Sequence, residues 1–337
     1  MVKYLITGGA GFIGSNFIRY ILSKERDCHV LNVDKLTYAG NLGNLRDVEQ
    51  DDRYEFVKCD IVDDEFGKIV KEYRPDILLN FAAATHIDRS IRYPKEFVLT
   101  DVVGAFNVAY TVLKNNVKVA IHISTDEIYG SIIGKSVKED AKLDPTSPYS
   151  ASKASADLLL LSYLKTYKLP LIIVRPCNNY GRNQYPEKLV SLSIVRLLSD
   201  KPVILHGEGK EIREWIHVSD CCRALYGIVK KGRIGEIYNL GSGIRFTNMN
   251  MITMIMEEMF GRVYVNMIKK IPNRPGNDKG YAIDSSKLVS LIGDYVTIPI
   301  RQGLRMTIDW YRENEWFWKG KIDIDANIYT ENDEYLR

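Results

Sequence analysis

The stretch that most narrows the fold is Tyr4-Leu5-Ile6-Thr7, followed at once by Gly8-Gly9-Ala10-Gly11-Phe12-Ile13-Gly14. The first four residues read as a buried strand, and glycines at 8, 11 and 14 end it in a tight turn. Apolar residues then recur at Ile13, Phe17, Ile18, Ile21 and Leu22, which predicts a helix over about 12–23. Each glycine has a task. Gly8 permits the turn, Gly11 lets backbone approach a pyrophosphate, and Gly14 lets helix pack on strand. A glycine pattern alone is common, but one set between strand and helix points to a dinucleotide at the helix N-terminus. A second predicted strand, 30–33, ends in Asp34, twenty residues past Gly14. A carboxylate there hydrogen-bonds an adenosine ribose and disfavours a 2′-phosphate.

Further predicted strands at 54–58, 77–81, 119–123 and 171–174 alternate with helices, including about 95–115 and 150–167. That alternation predicts an α/β fold with a Rossmann-like, doubly wound parallel sheet. Residues 1–175 are expected to form the dinucleotide-binding domain. Short strands at 216–218 and 237–240 are expected to return to its sheet. Residues 176–337 are expected to build mainly a smaller α/β lobe for substrate, with a helix over 189–198 and a loop over 273–278. The polar tail 319–337 is expected to be peripheral.

Composition excludes several classes. Lys plus Arg number 46 and Asp plus Glu 43, a net charge of +3. That balance argues against nucleic acid or a membrane surface as partner. No apolar run in the sequence suggests a membrane span. The five cysteines lack metal-type spacing and are expected to be free thiols in a reducing compartment. No metal site is expected; His86, without ligand-spaced partners, reads as structural. The N-terminus leads straight into a strand, so no secretory leader and a cytoplasmic location are expected.

Two clusters carry the chemistry. Ser124-Thr125-Asp126-Glu127 follows the strand at 119–123, and open α/β sheets hold ligands at the carboxyl ends of their strands. Two nearby carboxylates do not both ionise cheaply, so one can act as acid and the other as base. Adjacent residues in a strand face opposite ways, so both reach one ligand only if the backbone leaves the strand there. Tyr149 and Lys153 stand four apart on one helical face. An ammonium near the phenol lowers its pKa, and a phenolate can take a proton from an alcohol while hydride leaves the same carbon.

Together these residues resemble an extended short-chain dehydrogenase/reductase and, within it, the dTDP-glucose 4,6-dehydratases. Matching blocks lie at 7–14, 34–37, 86–91, 124–130, 149–153, 178–181, 186–189, 213–215 and 274–278. The Thr-Asp-Glu triplet is what sets these dehydratases apart from sugar epimerases and decarboxylases. The resemblance implies an NAD⁺-dependent hydro-lyase that converts dTDP-glucose, or a related nucleotide hexose, to its 4-keto-6-deoxy form. The alternatives are a UDP-glucose 4,6-dehydratase or an epimerase of the same superfamily. It also implies a homodimer built on the helices at 95–115 and 150–167, although core packing explains their apolar faces equally well.

By the same resemblance the catalytic residues are Thr125, Asp126, Glu127, Tyr149 and Lys153. NAD is expected against Gly8, Gly11, Phe12, Ile13, Gly14, Asp34, Lys35, Leu36, Thr37, Asp60, Ile61, Phe81, Ala82, Ala83, Thr100, Tyr149, Lys153 and Asn179. Asp60 contacts adenine or caps the helix near 63. The nucleotide sugar is expected against Thr85, Thr125, Asn178, Lys188, Leu189, Ile204, His206, Arg213, Asn248, Arg274 and Asn277. Arg213 either grips phosphate or pairs within the lobe with Glu208, Glu211 or Glu214. The chain departs from the family pattern at Ala84 (Glu is usual), His206 (Tyr), Asn273 (Asp) and Asp101 (Asn).

Overall fold

A computed structural model describes residues 1–321, and the expected peripheral tail lies outside the described residues from 322 onward. The strands are β1 (Val2–Thr7), β2 (Cys28–Asp34), β3 (Tyr54–Lys58), β4 (Ile77–Asn80), β5 (Val119–Ile123), β6 (Leu171–Pro176), β7 (Asn178–Tyr180), β8 (Val203–His206), β9 (Ile212–His217), β10 (Ile237–Leu240), β11 (Arg245–Thr247) and β12 (Ile268–Ile271). Seven form one sheet in the order β3-β2-β1-β4-β5-β6-β10, and every pairing in it is parallel. This is the expected doubly wound sheet. Tyr4, Leu5 and Ile6 are fully buried, as a parallel strand covered on both faces requires.

The α-helices among the described residues are α1 (Phe12–Lys24), α2 (Asp64–Tyr73), α3 (Ile87–Arg92), α4 (Pro94–Phe97), α5 (Gly104–Lys114), α6 (Pro148–Tyr167), α7 (Leu189–Leu198), α8 (Val218–Lys231), α9 (Asn248–Phe260), α10 (Ser286–Ile292), α11 (Ile300–Glu313) and α12 (Glu315–Trp318). One sheet face packs on α1 and α8, the other on α2, α5 and α6. A separate apolar core joins α7, α9 and α11. All five cysteines are free and buried.

Three expectations need correction. Residues 237–240 do join the main sheet, but 216–218 do not. Ile216 and His217 end β9, which pairs with β7 and β11 in a small sheet of its own, and Val218 opens α8. The His217 ring accepts the Ser219 N–H at 3.3 Å, so the chain is capped into a helix there. The expected helix at 95–115 is interrupted by a π-helical turn, Val98–Val103. The run Pro94–Lys114 is also long and apolar enough, by those criteria alone, to cross a bilayer. Its inner face explains the composition: Ala105, Val108, Ala109 and Val112 are buried in the core shared with α2 and α6.

Candidate active site

The carboxyl ends of β1, β2, β4, β5 and β6 open on one cavity of about 370 Å³, a size typical of cofactor and small-molecule sites. At its dinucleotide end Gly8 has φ +67°, and a Cβ there would lie 2.6 Å from the Ala82 backbone nitrogen. A Cβ on Gly14 would lie 2.5 Å from the Gly8 carbonyl oxygen. Glycine alone fits either position. No side chain caps α1 at Gly11, which leaves first-turn N–H groups to an anion. Asp34 accepts the N–H groups of Ala10 at 2.9 Å and Leu36 at 2.8 Å, and each oxygen keeps acceptor capacity. These residues fit a dinucleotide.

Gly8, Gly11, Phe12, Ile13, Gly14, Asp34, Lys35, Thr37, Asp60, Ile61, Phe81, Ala82, Ala83, Thr100, Tyr149, Lys153 and Asn179 line the cavity. Leu36 is not among the lining residues. It adopts φ +58° and turns its backbone N–H to Asp34. Asp60 does not cap α2: the N-cap residue is Asp63, and the Asp60 carboxylate pairs with Lys35 at 2.7 Å.

At the end of β5 the chain leaves the strand. Thr125 accepts the Glu127 N–H at 3.3 Å and opens a 3₁₀ turn over Asp126–Tyr129. That turn lets both Asp126 and Glu127 line one cavity. Asp126 is buried, and its Oδ2 has no hydrogen-bond partner. Burial, with Glu127 beside it, raises the Asp126 carboxyl well above its ordinary value. Burial raises Glu127 too, against the opposing charges of Lys188, Arg213 and Arg274. The couple is therefore split, with Asp126 the stronger holder of a proton. Thr125 is not among the lining residues; its hydroxyl faces Asp126 at 3.4 Å and bonds the Tyr149 phenol.

A capping box starts α6. Ser147 Oγ accepts the Ser150 N–H at 3.1 Å, Ser150 Oγ accepts the Ser147 N–H at 3.0 Å, and Pro148 takes the first position. Tyr149 thus sits in the first turn, with Lys153 one turn on and both in the cavity wall. The expected lowering of the phenol is overturned. Burial, Glu127 and Asp101 raise Tyr149 well above its ordinary value. Lys153 is itself lowered by burial and donates at 2.7 Å to the Ile123 carbonyl.

Thr85, Asn178, Lys188, Leu189, Ile204, His206, Arg213, Asn248, Arg274 and Asn277 line the other end. Lys188 donates to the Thr85 carbonyl. Arg274 grips Asp88 through two contacts, at 3.0 and 2.9 Å. Arg213 donates to Asn277 at 3.3 Å and lies over the Tyr281 ring at 4.3 Å. Its suggested partners are engaged elsewhere: Glu208 with Lys270, Glu214 with Arg245, and Glu211 with Asn273. His206 sits 3.2 Å from the Pro272 carbonyl oxygen through Nδ1, and burial lowers its pKa to about 4. His86 caps α3, its ring accepting the Arg89 N–H at 3.4 Å. No group of three His, Cys, Asp or Glu that could hold a metal occurs among the described residues.

Several lining residues, Gln184 and Tyr185 among them, were not anticipated, and three unanticipated residues at or beside the cavity bear on its chemistry. Glu187 lines the cavity and accepts Arg89 at 3.3 Å and Tyr38 at 3.1 Å. Trp215 lines it with a buried indole N–H that has no partner. Both lie inside blocks on which the resemblance rested, so their placement there was the available signal. Tyr281, just past the 273–278 loop, bonds Glu127 and Asp278 and carried no sequence pattern of its own.

Comparison with known proteins agrees with this geometry. A family model described as GDP-mannose 4,6 dehydratase matches residues 5–307. The dTDP-glucose 4,6-dehydratase of Neisseria meningitidis serogroup B is 40% identical, covering 96% of this chain and 97% of that one. Its counterpart from Salmonella typhimurium is 39% identical over 94% of each chain. A crystal structure of dTDP-glucose 4,6-dehydratase from Streptomyces venezuelae, with NAD bound, superposes with TM-score 0.91 at 38% identity, covering 94% of this chain and 99% of that one. A UDP-glucose 4-epimerase from Thermotoga maritima reaches 0.85 at 26% identity, covering 93% and 100%.

Proposed function

The chain belongs to the GDP-mannose 4,6 dehydratase family, and from that membership we propose that it is an NAD⁺-dependent nucleotide-sugar 4,6-dehydratase. Its substrate is dTDP-glucose or a related nucleotide hexose, and its product is the 4-keto-6-deoxy sugar nucleotide plus water. The observation that carries this reading is the split pair of buried carboxylates, Asp126 and Glu127, in one cavity with Tyr149.

The glycine turn, Asp34 and the small residues Ala82 and Ala83 are the residues that would hold NAD⁺. When bound, NAD⁺ would supply a hydride acceptor and donor for the sugar, and a positive ring charge that would favour the Tyr149 phenolate. Tyr149 takes the proton of the sugar 4-hydroxyl, with Lys153 one turn on in the same helix and in the same cavity wall. The ketone that forms at C4 acidifies the C5 proton. Glu127 removes that proton and later returns one to C5. Asp126, whose carboxyl is raised by burial and by Glu127 beside it, gives its proton to the C6 oxygen, which leaves as water. An epimerase needs no such pair, because it expels no hydroxyl. Thr85 and Asn178 suit the sugar, and the guanidiniums of Arg213 and Arg274 suit the diphosphate, being planar and always charged.

We extend the proposal to a homodimer in the cytoplasm. Val98, Leu99, Phe106 and Tyr110 on the π turn and α5, with Leu158 and Tyr167 on α6, are large apolar side chains left exposed. Phe106 stacks on Tyr110 and meets Tyr163 edge-on, and Tyr163 packs on Tyr167, so these four rings form one continuous aromatic cluster. A second copy would cover it.

The test is direct. The protein is incubated with dTDP-glucose and, separately, UDP-glucose, and alkali is added. A 4-keto-6-deoxy product gives an ultraviolet chromophore. No chromophore from either sugar counts against the dehydratase.

A further inference from the structure

Asp101 is a buried carboxylate that the reaction above does not use. It lies in the π-helical turn Val98–Val103 and is 2% exposed. Its Oδ1 accepts the Ala84 backbone N–H at 3.0 Å, and its Oδ2 accepts the Ser152 hydroxyl at 2.6 Å. Ser152 immediately precedes Lys153, and Ala84 follows the small residues that line the cavity after β4. One side chain therefore ties that loop to the turn of α6 carrying Tyr149 and Lys153. π turns recur at functional sites, where they displace a side chain from its regular helical position.

The contacts do not require a charge. An amide of the same shape would accept from Ala84 and donate to the Ser152 oxygen. The carboxylate adds a negative charge beside the ammonium. Lys153 feels Asp101 and Asp157 as favourable partners, and Tyr149 feels Asp101 together with Glu127 and Asp126 as unfavourable ones. His122, the remaining titratable neighbour of Lys153, is kept neutral by burial. Burial raises Asp101 itself to about 6, against the opposing pull of Lys153 and its two hydrogen bonds.

We propose that Asp101 is a positioning residue that sets the charge balance of the Tyr149–Lys153 pair, so that the phenol works at a higher pH than it would with an amide in the same place. When Asp101 is ionised it offsets the ammonium, and the phenol keeps its proton further into the alkaline range. Protonated Asp101 leaves Lys153 free to favour the phenolate. The proposal rests on Tyr149 being the base of the reading above.

The experiment uses the full-length, NAD⁺-loaded protein. Tyrosinate absorbance is titrated in the parent, in Asp101→Asn and in Tyr149→Phe, the last isolating the Tyr149 contribution. In Asp101→Asn that contribution is expected about one pH unit lower. The acid limb of NAD⁺ reduction by dTDP-glucose or UDP-glucose should move by a similar amount, with little change in KM. Ser152→Ala removes one contact but keeps the charge, and should leave the Tyr149 titration in place. A lowered titration with no turnover on either sugar would uphold the role of Asp101 and defeat the dehydratase reading. Superimposable Tyr149 titrations in parent and Asp101→Asn would overturn the proposal.

Discussion

The Tyr281 phenol lies 3.5 Å from Oε2 of Glu127. The same hydroxyl donates at 2.7 Å to Asp278, which also accepts Ser131 and Thr146, each at 2.8 Å. The proposed C5 base is thus steadied by a group that is itself anchored at several points. Tyr281→Phe should slow elimination about tenfold while leaving oxidation at C4 near the parent rate. Stopped-flow absorbance of the reduced nicotinamide separates the two steps, and equal slowing of both would refute a role confined to Glu127.

Glu127→Gln should still oxidise C4 but stall before water leaves. Nicotinamide absorbance should then build up when the sugar nucleotide is added, with product formation down about 10²- to 10⁴-fold. Absence of any build-up would remove Glu127 as the C5 base.

Asp126 acts in its protonated form, and burial raises its pKa. Its contribution is therefore present below that raised value and is lost as pH rises through it. Asp126→Asn should cut turnover about 10²-fold or more with substrate binding little changed, and the alkaline fall of the elimination rate should disappear. A variant with parent turnover would exclude it from the mechanism.

Phe106→Glu places a charge in the exposed aromatic cluster formed with Tyr110 and Tyr163. Sedimentation should show a dimer for the parent and a monomer for the variant. Identical sedimentation would contradict the proposed interface.

The glycine turn, Asp34 and the strand–helix alternation were legible because each depends on local backbone geometry and periodicity. The carboxylate pair was legible for a similar reason, since it stands at a strand end. What the sequence hid was tertiary. The direction of the Tyr149 shift depends on Glu127 and on Asp101, 48 residues earlier in numbering, as well as on burial. The engagement of Arg274 by Asp88 joins residues 186 apart. The π turn left no period to read, because it is a single irregular turn, Val98–Val103, inside a long apolar run. Residues 216–218 had strand-like composition, but their pairing partners were decided by the separate sheet of β7, β9 and β11.

In the proposed reaction one cavity oxidises C4, eliminates water across C5 and C6, and returns the same hydride to C6. The most direct measurement uses sugar nucleotide labelled with deuterium at C4, as both dTDP-glucose and UDP-glucose, with the product read by NMR. A dehydratase gives a 4-keto-6-deoxy product from at least one of them, with the label at C6. Label remaining at C4 in both, in unchanged or epimerised sugar, would contradict it.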